Sequence, residues 1–404
     1  PITLKTTFTN AEPIDANLSV PQYLGQLVTR ACIRASAPAY ARLIADLAAR
    51  RQLILIGEDL VLTARESSAD VPPAALIEET ETRLFSLAQH NTAEISTTLT
   101  FGEAAAKADA MAAAVARGEM VGLRTGLADL DAKLVGPNAT DLVVLAGRPG
   151  MGKSALAMNI AFHVATTQCP VHFFSLEMSA EQLALRVLGE QIEVSASKLR
   201  TGKGSPTQLH ALHLKAQSLS DVPLFIDQLG GSSIAQVAAR ARRLKRKKNT
   251  GLIVIDYIQL MQSTKRRPNA NRVEDVSEIT TGLKALAKEL QVPILALSQL
   301  SRNVEHRDNK RPQLPDLRES GSIEQDADIV MFVFREQYYV ERDEPSVSEP
   351  SAYADWQAKM GQVAGKAEII IGKQRHGELG NVQVAFSGEF TRFSNLAREA
   401  QRHG

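Results

Sequence analysis

The chain has 404 residues, of which 44% are hydrophobic and 23% charged, and this composition excludes a disordered chain, collagen and a coiled-coil rod. The length fits two or three domains, and the longest apolar runs fall far short of the ~18 residues that cross a bilayer. The net charge of +1 provides no general attraction to nucleic acid, so polyanion binding must come from local clusters. The start of the chain has no secretory signal pattern, and we predict a cytoplasmic protein without a membrane segment.

Up to about residue 95 the apolar residues follow a helical spacing. Tyr40, Leu43 and Leu47 recur at intervals of three and four, as on one face of a helix. Residues 67–73 interrupt this pattern with serines, an aspartate and two prolines, which are typical of a turn. We therefore predict an all-α region over residues 1–95, with two long helices packed as a hairpin.

The sequence pattern changes at residue 96 and again at residue 121. A Thr- and Ser-rich linker and an Ala-rich helix over 101–117 occupy residues 96–120. Over residues 121–404, short β-branched runs alternate with helical stretches, three of which begin with capping-box patterns. This alternation predicts an α/β domain, a mostly parallel sheet with helices on both faces, closed by a C-terminal β-hairpin. The predicted strands are 142–146, 171–176, 224–226, 252–255, 294–297 and 329–334, with hairpin strands 367–373 and 382–386.

The segment between the first strand and the next helix matches the pattern G-x-x-x-x-G-K-[ST]. Its glycines let backbone N–H groups turn toward phosphate oxygens at a helix N-terminus. Lys153 neutralises the β- and γ-phosphates, and the Ser154 hydroxyl faces Mg²⁺. The pattern therefore predicts an ATP site with Mg²⁺ as cofactor. Its residues are Gly147, Arg148, Pro149, Gly150, Met151, Gly152, Lys153 and Ser154.

Three further polar residues stand at the ends of predicted strands. Asp256 ends a fully apolar strand and is expected to hold Mg²⁺ with Ser154, largely through water. Glu177 ends another strand, at the sheet edge where ligands bind, and there it can deprotonate the attacking water; alternatively it is a charge at the helix start before Ser179. Gln299 follows the 294–297 strand and is a candidate for contact with the γ-phosphate.

Two groups of cations remain open to two interpretations. Lys373 and Arg375 lie two positions apart in the predicted hairpin, so they share one face of a strand. They are either surface charges or groups that reach a neighbouring subunit's nucleotide, as an arginine finger does. Residues 240–248 carry seven cations, which we interpret first as a solvated helix end and second as a DNA-binding patch.

Taken together, these residues resemble the DnaB family of replicative DNA helicases, whose motor has a RecA-type core. The resemblance extends from about residue 23 to 397. It implies a homohexameric ring with ATP between subunits, in which Glu177 is the catalytic base, Gln299 senses the γ-phosphate, and Lys373 and Arg375 act in trans. It also implies 5′ to 3′ movement along single-stranded DNA and unwinding of forked DNA, with primase and a helicase loader as partners. The most specific segments are 147–154, 174–178, 253–261, 297–302, 316–328 and 373–377.

Two loops correspond by position to the DNA-contacting loops of that family. The first follows the Asp256 strand and carries basic residues that suit phosphate contact independent of sequence; a solvated charge run is the alternative. The second contains small residues that let backbone N–H groups approach phosphates. The predicted DNA-binding residues are Lys265, Arg266, Arg267, Asn271 and Arg272 in the first loop, and Arg318, Glu319 and Gly321 in the second.

Three features depart from the family pattern. Too little chain precedes Tyr23 to form the globular helical head, so we expect most of that head, and part of the loader and primase docking surface, to be lacking. Residues 341–365 form a longer insertion than usual, and 136–140 replace a glycine turn. Two other functions share the same motifs: a RecA-like recombinase that forms filaments on DNA, and a non-motor nucleotide-binding scaffold.

Overall fold

The computed structural model divides the chain into two compact units, Pro1–Thr100 and Phe101–Gly404. The predicted three-part division at residues 95 and 120 is finer than this split and stays a prediction. The structure describes residues 19–20, 22–23, 26, 37–66, single positions between 73 and 87, 100–117, 122–134, 136–228, 230–263, 272–317, 321–346 and 350–396.

The first unit contains one long described helix, α1 (Ala37–Glu66). The described positions between 73 and 87 are also helical, and an ion pair joins Arg83 to Asp59 of α1. The apolar face predicted from the sequence, which includes Leu47, is exposed in the structure. The buried residues among those described in α1 are Ala49 and Ile56 instead. Helix α1 is apolar on several sides, so the hydrophobic spacing alone does not select the face that the chain buries.

The second unit is an α/β domain, in which the described residues form nine strands. Its helices are α2 (Phe101–Ala116), α3 (Ala128–Lys133), α4 (Lys153–Thr167), α5 (Ala180–Gln191), α6 (Ala196–Arg200), α7 (Pro206–Ser218), α8 (Ile234–Lys248), α9 (Arg272–Leu290), α10 (Gly321–Asp326), α11 (Glu336–Arg342) and α12 (Pro350–Val363). Its strands are β1 (Leu142–Gly147), β2 (Val171–Ser175), β3 (Leu224–Gln228), β4 (Leu252–Asp256), β5 (Ile294–Gln299), β6 (Ile329–Phe334), β7 (Lys366–Gln374), β8 (Gly380–Ser387) and β9 (Arg392–Ser394).

The strands form a single sheet in the order β3-β2-β4-β5-β1-β6-β7-β8-β9. The first six of these pair in parallel, and β7, β8 and β9 continue the sheet in antiparallel fashion. Every residue of β1, β4 and β6 is buried, as expected for strands covered on both faces. The prediction of a mostly parallel sheet closed by a hairpin is confirmed, and β9 is an addition to it.

Helices cover both faces of the sheet, as predicted. One apolar core contains residues of α4 and α5, such as Leu156 and Leu183, and the other contains residues of α8, α9 and α10, such as Val237, Ile279 and Ile323. The expected capping boxes are present at the starts of α5, α7 and α8. These boxes satisfy N–H groups that the first turn of a helix leaves free.

Strand direction determines which residues meet at each sheet edge. The parallel strands end together at what we call the carboxyl edge, and the opposite side is the amino edge. Strand β7 runs the other way, so that its last residue, Gln374, pairs with Ile329 at the start of β6. The end of β7 therefore lies at the amino edge, whereas the end of β8 returns to the carboxyl edge.

The 341–365 insertion forms the end of α11 and the whole of α12. Trp356 of α12 donates its indole N–H to the carbonyl of Val340 at 2.7 Å, and Gln337 accepts the backbone N–H of Gly365 at 2.9 Å. These bonds hold the insertion, which lies between β6 and β7 in the sequence, against α11. None of the helices among the described residues combines the length and apolar content that a membrane span requires.

Candidate active site

The glycine-rich segment joins β1 to α4 and turns through two glycines in the left-handed region. The φ angle is 83° at Gly150 and 93° at Gly152, a conformation that side chains strongly disfavour. Gly152 is the N-cap of α4 and provides no side-chain cap. The first N–H groups of α4 therefore stay available to an anion at the N-terminus of the helix.

Side chains from distant parts of the unit support this loop. Arg335, directly after β6, donates from Nη1 to the carbonyl of Gly150 at 3.0 Å and lies 4.0 Å from the ring centroid of Phe386. Phe386 is in turn paired with Phe393, at 4.7 Å between ring centroids. A Cβ atom added at Gly152 would lie 2.9 Å from the Phe393 ring. Arg335 and the aromatic pair therefore form one cluster that supports the loop.

Arg148, a predicted member of the binding segment, turns its side chain into the protein. Its Nε donates to Glu305 Oε1 at 2.9 Å and its Nη1 to the carbonyl of Leu300 at 3.0 Å. Both partners belong to the segment that follows β5. The Arg148 guanidinium is therefore engaged within the protein, and the side chain connects the loop to the segment that follows β5.

Lys153, Ser154 and Asp256 lie together at the carboxyl edge. Asp256 is fully buried, and neither of its carboxylate oxygens has a hydrogen bond of normal geometry to a described residue. Burial raises the pKa of Asp256, against the opposing effects of the Ser154 hydroxyl and Lys153. Burial likewise lowers the pKa of Lys153, opposed by Asp256 and Glu177. Anions bound here would favour the charged lysine, and a cation would favour the charged aspartate.

Glu177 stands at the same edge and is exposed. It follows β2, whose last residue, Ser175, is in register with Asp256. The N–H of Leu176 donates to the carbonyl of Asp256 at 2.8 Å, which extends the pairing by one residue. Glu177 is therefore a solvent-accessible carboxylate beside the lysine and the buried aspartate, a position from which it can accept a proton from a water molecule.

Gln299 is the last residue of β5 and is in register with Gly147, the first residue of the glycine-rich segment. Its backbone N–H donates to the side-chain oxygen of Gln259 at 3.1 Å. The side chain of Gln299 is partly exposed. The predicted γ-phosphate contact and the phosphate-binding loop are thus neighbours in the sheet.

Of the predicted DNA-binding residues, Arg272 and Gly321 are described, and the other six lie outside the described residues. The sequence predicts Arg272 in a loop, whereas it is the first residue of α9. The acidic Glu274 and Asp275 in the first turn favour a helix start at this point. The Arg272 guanidinium donates to the carbonyl of Gln259. Gly321 opens α10 and is exposed.

Lys373 and Arg375 lie at the amino edge, away from the glycine-rich segment. Strand β7 ends at Gln374, so the expected shared strand face does not extend to Arg375. Lys373 donates to the carbonyl of Glu324 in α10, and Arg375 is ion-paired with Asp328 at 3.2 Å. Because the six residues of β1 span about 20 Å, the sheet separates both cations from the nucleotide-binding edge of the same chain.

Three residues that shape this site were not predicted from the sequence. Arg335 stands directly after a buried strand, and the strand-end rule that selected Asp256 and Glu177 would have selected it too. Gln259 lies inside one of the family-like segments without an assigned role. Glu305 had no local signal, because its bond to Arg148 joins residues 157 positions apart in the chain.

The sheet, the glycine-rich loop and the buried aspartate on a neighbouring strand define a P-loop NTPase with a RecA-like core. Residues 122–395 match the family model described as "DnaB-like helicase C terminal domain". The replicative DNA helicase DnaB of Rickettsia bellii (strain RML369-C) is 42% identical over 422 residues, which cover 100% of this chain and 83% of that protein. The DnaB of Geobacillus stearothermophilus is 46% identical over 282 residues, 70% of this chain and 58% of that protein.

Solved structures are similar in both sequence and fold. One solved ATPase domain is 33% identical with a TM-score of 0.65, covering 74% of this chain and 100% of that one. A DnaB-like replicative helicase, whose structure was described with its interactions with primase, is 27% identical with a TM-score of 0.66 and covers 98% of this chain and 87% of that one. The chain belongs to the DnaB family of replicative DNA helicases, which makes it an ATP-hydrolysing helicase.

Proposed function

We propose that the chain works as a homohexameric ring that hydrolyses ATP between subunits, moves 5′ to 3′ on single-stranded DNA and unwinds the duplex at the fork. The observation that carries this proposal is the separation of the two halves of one nucleotide site. The P-loop lies at the carboxyl edge and Arg375 at the amino edge, so that a complete site needs two chains. A closed ring provides every P-loop with a neighbour.

The roles of the residues follow from their positions. Lys153 neutralises the β- and γ-phosphates. Glu177 accepts a proton from the attacking water molecule while the water oxygen bonds to the γ-phosphorus and ADP leaves. Gln299, beside the P-loop, contacts the γ-phosphate. Arg375 of a neighbouring subunit, with Lys373, stabilises the charge on the transferring phosphoryl group.

Mg²⁺ fits the residues at this edge. The two buried carboxylate oxygens of Asp256, which have no hydrogen bond of normal geometry to a described residue, and the adjacent Ser154 hydroxyl are hard oxygen ligands, which Mg²⁺ prefers. The described residues contain no cluster of three or more His, Cys, Asp or Glu side chains that could hold a metal ion, in keeping with a cation held mainly by phosphate and water. When bound, the cation neutralises charge on the phosphate oxygens.

Both predicted loops contact the phosphates of single-stranded DNA in this role. The first comprises Lys265, Arg266, Arg267, Asn271 and Arg272, and the second Arg318, Glu319 and Gly321. Its support is the exposed position of Gly321, where a Cβ would meet no atom within 4 Å, which leaves room for a backbone approach to DNA.

Partners are proposed from relatives. The structure of the 27% identical helicase was described with its interactions with primase, and we propose primase and a helicase loader as partners of this chain. A replicative helicase works where the chromosome or another replicon is copied, and we propose the cytoplasm as its location.

The direct test is the unwinding of labelled forked duplexes with ATP and Mg²⁺. We expect unwinding of a fork with two tails, loss of activity when the 5′ tail is removed, and residual activity when the 3′ tail is removed. A strict requirement for the 3′ tail would contradict the proposed direction. Absence of unwinding, together with open filaments in electron micrographs, would instead favour a recombinase. An ATPase unaffected by single-stranded DNA would favour a non-motor scaffold.

A further inference from the structure

The side-chain amide of Gln259 is bonded to the end of β5. Its Oε1 accepts the N–H of Gln299 at 3.1 Å, and its Nε2 donates to Ser298 Oγ at 2.9 Å and to the carbonyl of Gln299 at 3.4 Å. The backbone pairing of β4 with β5 stops at Ile255 and Ala296. The amide therefore takes the place of a strand partner for the backbone of Gln299, the last residue of β5, and also binds the side chain of Ser298.

The backbone of the same residue is bonded to the start of α9. The carbonyl of Gln259 accepts a hydrogen bond from the guanidinium of Arg272. Gln259 lies in a short 3-10 helix, Ile258–Leu260, and the flanking side chains of Ile258 and Met261 are 0% and 1% exposed. A turn anchored in this way moves as a unit, because its buried neighbours leave no free volume for independent rearrangement.

We infer that Gln259 is a positioning residue that couples the DNA-binding segment to ATP hydrolysis. Phosphate contact at Arg272 changes the position of the Gln259 carbonyl, and the amide of Gln259 passes that change to the backbone of Gln299, beside the P-loop. This inference rests on the proposed roles of Arg272 and Gln299. These bonds form a continuous connection from Arg272 to Gln299, through which contact with DNA changes the rate of ATP hydrolysis.

Ser263 provides a matched control, because it lies in the same chain segment between β4 and α9 as Gln259. The Ser263 hydroxyl donates to Glu278 Oε2 of α9 at 2.7 Å. This bond reaches α9, as the Gln259 carbonyl does, but it is separate from the amide bonds that join Gln259 to β5. Ser263→Ala perturbs the same segment without removing the connection to Gln299.

The experiment compares ATPase rates with and without single-stranded DNA, and DNA affinity, for the full chain. Gln259→Met keeps the length of the side chain and the carbonyl that binds Arg272 but removes the amide. We expect DNA affinity within about twofold of wild type, because phosphate contacts remain, and a fall of about tenfold in the ratio of stimulated to basal rate. Ser263→Ala should keep the wild-type ratio.

Two further variants make the result decisive. Gln259→Glu keeps an oxygen that can accept the Gln299 N–H but replaces the Nε2 donor with a charged acceptor facing the Gln299 carbonyl. It should also lower the ratio, which covers the case in which Gln259→Met does not fold. Adding Arg272→Lys to Gln259→Met should lower the ratio no further than Gln259→Met alone, because the two changes interrupt one connection. An unchanged ratio, or parallel loss of both rates at constant ratio, overturns the inference. A wild-type chain without DNA-stimulated ATPase instead contradicts the proposed function.

Discussion

Gly147 and Gln299 lie side by side at the ends of β1 and β5, with their Cα atoms paired in the strand register. The N–H of Leu300 also reaches the carbonyl of Gly147 at 3.4 Å, and Arg148 donates to the carbonyl of Leu300. The P-loop and the end of β5 are therefore one hydrogen-bonded unit. Gln299 is thus held next to the first residue of the loop, as its proposed contact with the γ-phosphate requires.

Replacement of Lys153 tests the P-loop assignment. The ammonium group lies 4.9 Å from the ring centroid of Tyr257, and burial already disfavours its charged form by lowering its pKa. Lys153→Ala should therefore preserve the thermal unfolding temperature and lower ATP turnover by about a hundredfold or more. Steady-state ATPase and circular dichroism melting provide the two measurements. Turnover near the wild-type rate in a folded variant would contradict the assignment.

Glu177→Gln separates binding from hydrolysis. The amide keeps the shape of the side chain but cannot take a proton, so ATP should still bind while turnover falls by roughly a hundredfold or more. Binding of a fluorescent ATP analogue and single-turnover hydrolysis measure the two steps. Glu181→Gln is the matched control, since Glu181 is also exposed and lies in the first turn of α5. If both variants hydrolyse ATP equally, another group is the base.

Gly152→Ala tests the shape of the loop. At φ 93° an alanine is strained, and its Cβ would lie 2.9 Å from Phe393, so we expect a loss of about 1 kcal/mol or more in unfolding free energy and weaker nucleotide binding. Gly361→Ala is the control, because Gly361 lies in α12, where an added Cβ would have no atom within 4 Å, and alanine favours a helix. Denaturant unfolding of both variants makes the comparison. Equal effects at the two sites would show that the loop is not strained.

Much of this site was predictable from local sequence. The residues of β1 form an unbroken apolar run before the glycines, and Asp256 ends another such run, so the strand pattern alone brings Lys153 and Asp256 to one edge of a parallel sheet. Boundaries were less accurate, with β3 extending two residues beyond the predicted end at Ile226. The register that places Gln299 beside Gly147 was not predictable, because it depends on the pairing of strands distant in the chain.

Other features depend on tertiary contacts that leave no local pattern. The carbonyl of Gly150 is held by Arg335, 185 positions away in the chain. In α1, the apolar spacing indicated the side of Leu47, while burial of Ala49 and Ile56 was decided by neighbours in three dimensions. Patterns identify elements and their ends, whereas long-range pairing decides which side chains finally meet.

The partly buried carboxyl group of Glu190 should make the free energy of unfolding depend on pH. Burial raises its pKa from 4.5 to about 6, against the charge of Arg392 and the hydrogen bond from Asn159. A carboxyl group with a raised pKa favours the folded state when protonated, so this contribution is present below pH 4.5 and is lost as pH rises through about 6. Glu190→Gln removes the cost of the buried charge and should raise stability at about pH 8 by about 1 kcal/mol, after allowance for solvent screening.

The Glu190 measurement is thermal unfolding of wild type and variant at about pH 8, 6 and 4.5, which brackets the raised pKa. Asn159 Nδ2, now 2.6 Å from Glu190 Oε2, can donate equally to the glutamine oxygen, so the local hydrogen bond is retained. The advantage of the variant should shrink as the pH falls and disappear near pH 4.5. An advantage that is constant across this range would mean that it comes from packing and not from ionisation.

Replacement of Arg375 distinguishes a ring motor, in which Arg375 acts on the neighbouring subunit, from an ATPase that works as a single chain. In one chain Arg375 is ion-paired with Asp328 at the amino edge, so its proposed role requires a neighbouring subunit. Arg375→Ala subunits should bind ATP through their own P-loops but leave the adjoining site without its cation, a loss of about 10³ in rate. Lys153→Ala subunits have the opposite defect: an inactive P-loop and an intact Arg375.

Mixing the two inactive variants should restore ATPase activity. In an equal mixture of subunits, about one quarter of the boundaries combine an intact Lys153 with an intact Arg375, so up to about a quarter of wild-type activity should return. Mixing Arg375→Ala with the double variant Lys153→Ala/Arg375→Ala is the control, because no boundary in that mixture is complete. Sedimentation of each variant and of labelled mixtures establishes that rings form and exchange subunits. Exchanged rings without recovered activity would mean that Arg375 acts within its own subunit or only holds Asp328.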